Sequence, residues 1–310
     1  MYSRRGVICV VLTIIISLSK VNLYGGDLET RLKRHVVKLS EEIGERNLSH
    51  YQNLEAAAEY ITKVFQNYGY EVESQWYKVR GKTVRNIIVE KKGKKEEKII
   101  IGAHYDSVSG SPGADDNASG VAGLLEISRL MADEDLERTI VFVAFTCEEP
   151  PFFFTRNMGS KVYARRCWSR KEKIIGMVSL EMIGFYTKEK RKRALPSRIL
   201  SFLHPQVGNY VTLVGNISSK KLINRMSEGF KKHSDFPLLS VVVPELSPTA
   251  GWSDHSSFWS FGYHACMATD MAFYRNPHYH TSTDTPDILN YDSMSRVIIG
   301  LYGGVLEMAK

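Results

Sequence analysis

The sequence predicts an α/β protein, a three-layer sandwich in which helices flank a mostly parallel, mixed central sheet. Short apolar runs bounded by charge or glycine are typical of strands buried on both faces, and Ile99–Ile101 between Lys98 and Gly102 is the clearest example. Residues 139–146 and 176–180 repeat this pattern. Helix-like segments separate these runs, and alternation of strands with helices favours a parallel sheet.

The other elements follow from apolar spacing and from breakers. In one helix, Leu54, Ala58, Ile61 and Phe65 recur at helical spacing, and Gly69 ends it. The predicted helices are 28–46, 54–67, 119–132, 157–166, 217–232 and 290–308. The predicted strands are 71–79, 85–90, 98–102, 139–146 and 176–180. No long linker or repeat interrupts the chain beyond about residue 27, so we expect one domain over 27–310.

Composition excludes several classes of protein. Of 310 residues, 43% are hydrophobic and 24% charged, which excludes a mainly disordered chain and a polytopic membrane protein. The net charge is +7, but no aromatic residue interrupts the basic run 188–193, so we expect a solvated loop there and no nucleic-acid partner. Four cysteines are too few for a disulfide scaffold. Cys147, Cys167 and Cys266 form either one disulfide with one thiol or three thiols.

The first residues have the composition of a targeting segment. Arg4 and Arg5 precede an almost wholly apolar stretch, and Ser17 and Ser19 supply small residues for a cleavage site. We interpret residues 1–19 as an export signal, with an uncleaved signal anchor as the alternative. The protein is then periplasmic or extracellular, and any membrane contact is a tether through residues 7–18.

Chemically active side chains follow the predicted strands. In open α/β sheets, sites form where strands reach their carboxyl ends. Carboxylates beside apolar strands are costly to bury unless a cation neutralises them, and imidazole with carboxylate suits zinc, with manganese or cobalt as alternatives. The sequence therefore predicts a divalent metal site. Its candidate residues are His104, Asp106, Asp116, Glu148, Glu149, Glu181, His278 and His280; of the last two, the family resemblance given below selects His280.

Four stretches carry a resemblance to a known family. They are GAHYDSVSGSPGADDNASGVAGLLE (102–126), FVAFTCEEPPFF (142–153), VSLEMIGF (178–185) and YRNPHYHTSTDTPD (274–287). In these stretches, and over roughly residues 50–310, the chain resembles the M28 family of zinc aminopeptidases. The resemblance implies a zinc-exopeptidase-like fold, a peptidase domain over 27–310, peptide substrates and two zinc ions per chain.

The resemblance also implies a role for each matching position. One metal would bind His104, Asp116 and Glu181, and the other Asp116, Glu149 and His280. Glu181 departs from the commonest pattern, because many members carry the shorter aspartate there.

The remaining roles concern residues that are not ligands. Glu148 matches the catalytic general base, Asp106 would hold the imidazole of His104, and Tyr279 would donate to the oxyanion. Asp254 and His255 fall in a segment that resembles one near the family's substrate pocket; helix capping by Ser253 or Asp254 is the alternative. Met182, Phe185, Phe258 and Tyr274 are the candidate walls of that pocket.

Other functions remain open on the sequence. Animal-type glutaminyl cyclases resemble this family and use one zinc. A carboxypeptidase or dipeptidase would need a basic group for the substrate carboxylate, and Arg275 is a candidate. A non-catalytic, receptor-like ectodomain is disfavoured because the ligand positions are all occupied by ligating residue types. The sequence does not fix the oligomeric state.

Overall fold

The computed structural model describes residues 27–190, 207–244 and 251–310. The predicted export segment 1–19 and residues 191–193 of the basic run lie outside these ranges. Lys188 and Glu189 of the same run are exposed, but they belong to a short strand rather than to a loop. No helix in the described part of the chain combines the length and apolarity that crossing a bilayer requires.

Every predicted helix and strand is present, with ends shifted by a few residues. The helices are α1 (27–37, continued by a π-helical segment Lys38–Ile43), α2 (Tyr51–Asn67), α3 (Gly120–Met131), α4 (Gly159–Ser169), α5 (Lys220–His233), α6 (His255–Trp259), α7 (Ala272–Arg275) and α8 (Tyr291–Ala309). The strands are β1 (Glu73–Val79), β2 (Lys82–Lys91), β3 (Lys95–His104), β4 (Arg138–Phe145), β5 (Ile174–Leu180), β6 (Thr187–Lys190), β7 (Val207–Gly208), β8 (Val211–Asn216), β9 (Leu238–Val243) and β10 (Ala265–Thr269). A second π-helical segment covers Ala114–Ser119, and 3₁₀ turns cover Ile217–Ser219 and Pro286–Ile288. The sequence did not predict β6–β10, α6 or α7.

The middle layer is an eight-stranded mixed sheet with the order β1-β2-β4-β3-β5-β10-β8-β9. Its four central strands, β4, β3, β5 and β10, run parallel to one another. The β1–β2 hairpin pairs antiparallel with β4, and β8 pairs antiparallel with β10. The carboxyl ends of the central strands therefore share one edge of the sheet.

Both faces of the sheet are buried, which confirms the three-layer prediction. Ile99 and Ile101 of β3 join the larger core, which α1, α2, α3, α5 and α8 cover. Ile100 points the other way into a smaller core with α4 and α6. Because side chains alternate along a strand, an uninterrupted apolar run is what a strand between two helical layers requires.

All three cysteines in the described ranges are buried free thiols. Cys147 packs in the larger core. Of the two states that the sequence left open, the structure shows three reduced thiols.

A buried charge network ties α1 to α3. Glu126 of α3 is fully buried, and its carboxylate accepts hydrogen bonds from Arg31, Arg129, His35 and Tyr68 at 2.7–3.2 Å. Burial alone would raise the pKa of Glu126, but the hydrogen bond from His35 and the charge of Arg129 lower it to about 2. An uncompensated buried carboxylate would cost several kcal/mol, so these partners act as one unit.

The network predicts acid sensitivity. A carboxylate whose pKa falls from 4.5 to about 2 on folding contributes about 3 kcal/mol above pH 4.5, lost progressively as the pH falls through 2. Urea unfolding between pH 6 and 2 should therefore show a steeper loss of stability in the wild type than in Glu126→Gln. Exposed Glu59→Gln, on α2, is the control and should follow the wild type. Parallel curves for wild type and Glu126→Gln would contradict this assignment.

Candidate metal centre

The carboxyl edge of the central strands carries the predicted ligands. His104 is the last residue of β3, and Glu181 directly follows β5. Glu148 and Glu149 follow β4 after a tight turn in which Cys147 has a φ of 57°. All four of these side chains are at most 6% exposed. Chain topology alone thus brings residues from three strands to one buried corner.

Asp116 reaches the same corner from the second π-helical segment. The backbone N–H groups of Asp115 and Asp116 donate to the two oxygens of Asp284, at 2.9 and 3.1 Å. The side-chain amide of Asn117 donates to the carbonyl of Leu180 at 2.9 Å. These contacts fix the segment between the C-terminal loop and the end of β5.

Two groups of side chains meet around Asp116. In the first, Nε2 of His104 lies 3.4 Å from Oδ1 of Asp116 and 3.4 Å from Oε1 of Glu181. In the second, Nε2 of His280 lies 3.1 Å from Oδ2 of Asp116 and 3.4 Å from Oε2 of Glu149. Within each group the ligating atoms all lie within 4.8 Å of one another. These are the two sets that the sequence resemblance implied, with Asp116 shared between them.

The donor atoms fit divalent cations. Within the described ranges, Oε1 of Glu149 is buried and has no hydrogen-bond partner. Burial and the charge of Asp116 raise the pKa of Glu149 to about 8. Burial alone would lower the pKa of His280, but its hydrogen bonds to Asp116 and Glu149 raise it to about 10. A bound cation would favour the ionised form of Glu149 and the neutral form of His280. Imidazole with carboxylate oxygens is a ligand set that suits zinc.

Glu148 belongs to neither group. It is 6% exposed, and its Oε2 lies 3.9 Å from Nε2 of His104. Burial and the neighbouring charges of Glu181 and Glu149 raise its pKa well above the ordinary value. A carboxylate that is not a ligand but lies beside the ligands is placed to exchange protons with a bound substrate or water.

The predicted partner of His104 has a double role. The two carboxylate oxygens of Asp106 accept the backbone N–H groups of Glu148 and Glu149, both at 3.1 Å. Nδ1 of His104 lies 3.2 Å from the carbonyl of Asp106 and 3.7 Å from its Oδ1. Asp106 therefore fixes the backbone of both glutamates, and its carbonyl is the nearer partner of the ring.

Tyr279 lines a cavity of about 120 Å³ beside Glu148 and Glu149. Its ring stacks on that of His280, with the ring centres 3.8 Å apart. The aromatic part of the lining is completed by Phe153, Trp252 and Phe273.

Of the four predicted walls, Met182 lines this cavity. Phe258 does not, because it is fully buried in the smaller core between α4 and α6. Phe185 and Tyr274 are also absent from the lining.

Two positioning residues escaped the sequence analysis. Arg46 is fully buried, and its guanidinium donates to the carbonyls of Tyr105, Pro112 and Gly113, bracing the loop between His104 and Asp116. A lone arginine after a helix gives no sequence signal of such a role.

The second positioning residue is Ser253, which the sequence suggested only as a helix cap. Its hydroxyl donates to Oε2 of Glu181 at 2.7 Å, which leaves Oε1 facing His104. Asp254 stands at the start of α6 but makes no capping hydrogen bond with its side chain. Asp254 and His255 are fully buried and do not line the cavity.

The two other candidates from the sequence lie apart from the ligands. Nδ1 of His278 pairs with the hydroxyl of Thr283 at 2.7 Å, so His280 alone of this pair faces Asp116. The guanidinium of Arg275 lies 3.9 Å from the ring centre of Tyr210.

Comparison with known proteins identifies the family. The sequence model of peptidase family M28 matches residues 86–301. The chain belongs to peptidase family M28. This confirms the resemblance seen in the four motifs and supports a metal-dependent, peptidase-like function.

Relatives extend the match beyond the family model. The uncharacterized protein YfbL of Escherichia coli is 37% identical over 279 residues, covering 87% of this chain and 85% of its own. Leucine aminopeptidase 1 of Arthroderma otae is 27% identical over 241 residues, covering 73% of this chain but only 58% of its own. This M28 chain thus spans little more than half of that aminopeptidase.

Solved structures show the same fold. BSAP, a zinc aminopeptidase from Bacillus subtilis, superposes with a TM-score of 0.74 at 17% identity, covering 91% of this chain and 95% of its own. A glutaminyl cyclase from Fimbriiglobus ruber superposes with a TM-score of 0.64 at 19% identity, with the same coverages. The M28 fold of this chain is therefore common to both kinds of enzyme.

Metal binding should release protons. With a pKa of about 10, His280 is protonated at pH 7 in the metal-free protein, and a ligating imidazole must be neutral. Zinc affinity should therefore rise with pH. Calorimetric titration of the metal-free protein with zinc at pH 7, in two buffers of different ionisation enthalpy, should show release of at least one proton per chain. His278→Gln is the control and should release as many. Identical apparent enthalpies in both buffers would contradict the assignment.

Proposed function

We propose that this M28 peptidase is an exported aminopeptidase that holds two zinc ions and removes N-terminal residues from peptides. The observation that best supports this proposal is that Asp116 belongs to both ligand groups, whereas Glu148 belongs to neither. Export rests on the composition of residues 1–19. Mass spectrometry of the secreted protein, showing a chain that begins after this segment, would support it.

His104, Asp116 and Glu181 would hold one zinc ion, and Asp116, Glu149 and His280 the other. Bound there, zinc would polarise the scissile carbonyl and lower the pKa of a water molecule. Asp106, Asp284 and Ser253 hold the ligands in place through the hydrogen bonds described above.

Glu148 accepts the proton of the attacking water and passes it to the leaving amine. Burial and the neighbouring carboxylates raise its pKa above the ordinary value, which makes the carboxylate a stronger proton acceptor. Burial raises the pKa of Tyr279 above its ordinary value, so its hydroxyl keeps a proton to donate to the oxyanion.

The cavity beside Glu148 suits the N-terminal residue of a peptide substrate. A volume of about 120 Å³ takes a single side chain, and Phe153, Trp252 and Phe273 give it apolar walls. Of the described residues in the same lining, Glu148 is the one buried carboxylate that belongs to neither ligand group, and a carboxylate favours the cationic amine of an N-terminal residue over an internal peptide bond.

The direct test combines metal content with hydrolysis. Purified protein should contain about two zinc ions per chain and release p-nitroaniline from aminoacyl-p-nitroanilides until a chelator is added. One zinc ion, no hydrolysis and cyclisation of an N-terminal glutamine peptide would overturn the proposal in favour of a glutaminyl cyclase.

Substitution of the general base separates chemistry from metal binding. Glu148→Gln should lower kcat by about 10²–10⁴-fold, because the amide cannot accept the proton, while the zinc content stays at the wild-type level. Exposed Glu59→Gln controls for the loss of a carboxylate and should keep wild-type kcat. Unchanged kcat in Glu148→Gln would remove this residue from the mechanism.

A further inference from the structure

A second cavity adjoins the metal centre. It has a volume of about 270 Å³, and Glu149 and Pro150 line both it and the smaller cavity. Phe152 lines the second cavity, whereas Phe153, the next residue, lines the first. The two cavities are therefore neighbours, with Glu149 and Pro150 common to both linings.

The far wall of the second cavity is the tip of the β1–β2 hairpin. Ile87 of β2 pairs with Ala144 near the carboxyl end of β4, and the two strands are antiparallel. At about 3.4 Å per residue, Lys82 therefore lies about 17 Å beyond the level of Ala144, past the edge where the ligands gather. Arg80 and Lys82 at this tip both line the cavity.

Within the described ranges neither of these two side chains forms an ion pair; the carboxylates of Asp106 and Glu149 belong to the same lining, where Asp106 accepts two backbone N–H groups. Among the described residues, Arg80 makes no hydrogen bond or ion pair; its guanidinium lies 5.2 Å from the ring centre of Phe152. Nζ of Lys82 donates to the carbonyl of Leu48 at 2.6 Å and retains two further donors. A guanidinium fixed over an aromatic ring keeps its planar donors for a carboxylate.

The rest of the lining suits an amino-acid side chain. Leu48, Leu54, Pro151 and Phe152 supply apolar surface between the cationic tip and Glu149. The basic group that the sequence suggested for a substrate carboxylate was Arg275, but that guanidinium packs on Tyr210 and lines neither cavity. Arg80 and Lys82 line the second cavity and can supply the basic group for a substrate carboxylate that Arg275 does not supply.

We propose that the second cavity binds the C-terminal residue of a dipeptide or tripeptide, with its α-carboxylate paired to Arg80. This rests on the proposed function. A substrate whose N-terminal side chain fills the first cavity continues past Glu149 beyond its scissile bond, and the second cavity begins there. The substrate class is therefore short peptides with a free C-terminal carboxylate.

The test compares matched substrates on the zinc-loaded full chain. Wild type should hydrolyse Leu-Ala with a kcat/KM about threefold to fivefold above that of Leu-Ala-amide, the upper range expected of an exposed, charge-assisted contact. Arg80→Gln should bring this ratio to about one, and Arg80→Lys should restore part of it. Arg165→Gln, an exposed arginine on α4, is the control and should keep both the ratio and the hydrolysis of leucine p-nitroanilide.

Two results would overturn the inference: equal kcat/KM for acid and amide in the wild type, or an undiminished ratio in Arg80→Gln. Absence of hydrolysis of every substrate, including leucine p-nitroanilide, would instead refute the proposed function. Calorimetric binding of Leu-Ala and Leu-Ala-amide then decides the ligand of the cavity. Tighter binding of the acid in wild type, lost in Arg80→Gln, supports the proposal, and equal binding contradicts it.

Discussion

Mutual repulsion among buried carboxylates is the constraint on which the rest of this structure depends. Asp116, Glu148, Glu149 and Glu181 converge at one edge of the sheet, each at most 6% exposed. Their convergence follows from the topology, because three adjacent parallel strands end there. Left uncompensated, such charges are costly to bury, so the corner suits cations between them.

The surrounding contacts hold in place the loops that carry these carboxylates. Asp106 and Asp284 are also buried carboxylates, but each accepts hydrogen bonds from two backbone N–H groups. These two residues therefore hold loops in place and are not among the candidate metal ligands. Arg46 brings a fully buried positive charge and binds three carbonyls of the loop after His104. Stable ligand geometry therefore depends on residues far from one another in sequence.

The sequence predicted what depends on local pattern. The central strands β3, β4 and β5 were predictable because burial on both faces leaves an uninterrupted apolar run. Strands β8 and β10 were not, since VTLVGN and ACMAT are short and mix apolar with polar or small residues. The two candidate ligand groups that the structure brings together were predictable from strand ends and family motifs.

What escaped prediction depends on tertiary contacts. Ser253 meets Glu181 from 72 residues away, and Arg46 meets Pro112 from 66. The cavity walls show the same limit: Met182, which follows Glu181, lines the cavity as predicted, whereas the prediction for Phe258 was wrong because α6 turns it into the smaller core. No local pattern distinguishes an aromatic residue that faces a cavity from one that faces a core.

The central claim is that two metal ions share Asp116, and anomalous diffraction at the zinc absorption edge tests it most directly. Crystals of zinc-loaded protein should show two anomalous peaks, one among His104, Asp116 and Glu181 and one among Asp116, Glu149 and His280. A single peak, or peaks away from Asp116, would contradict the account.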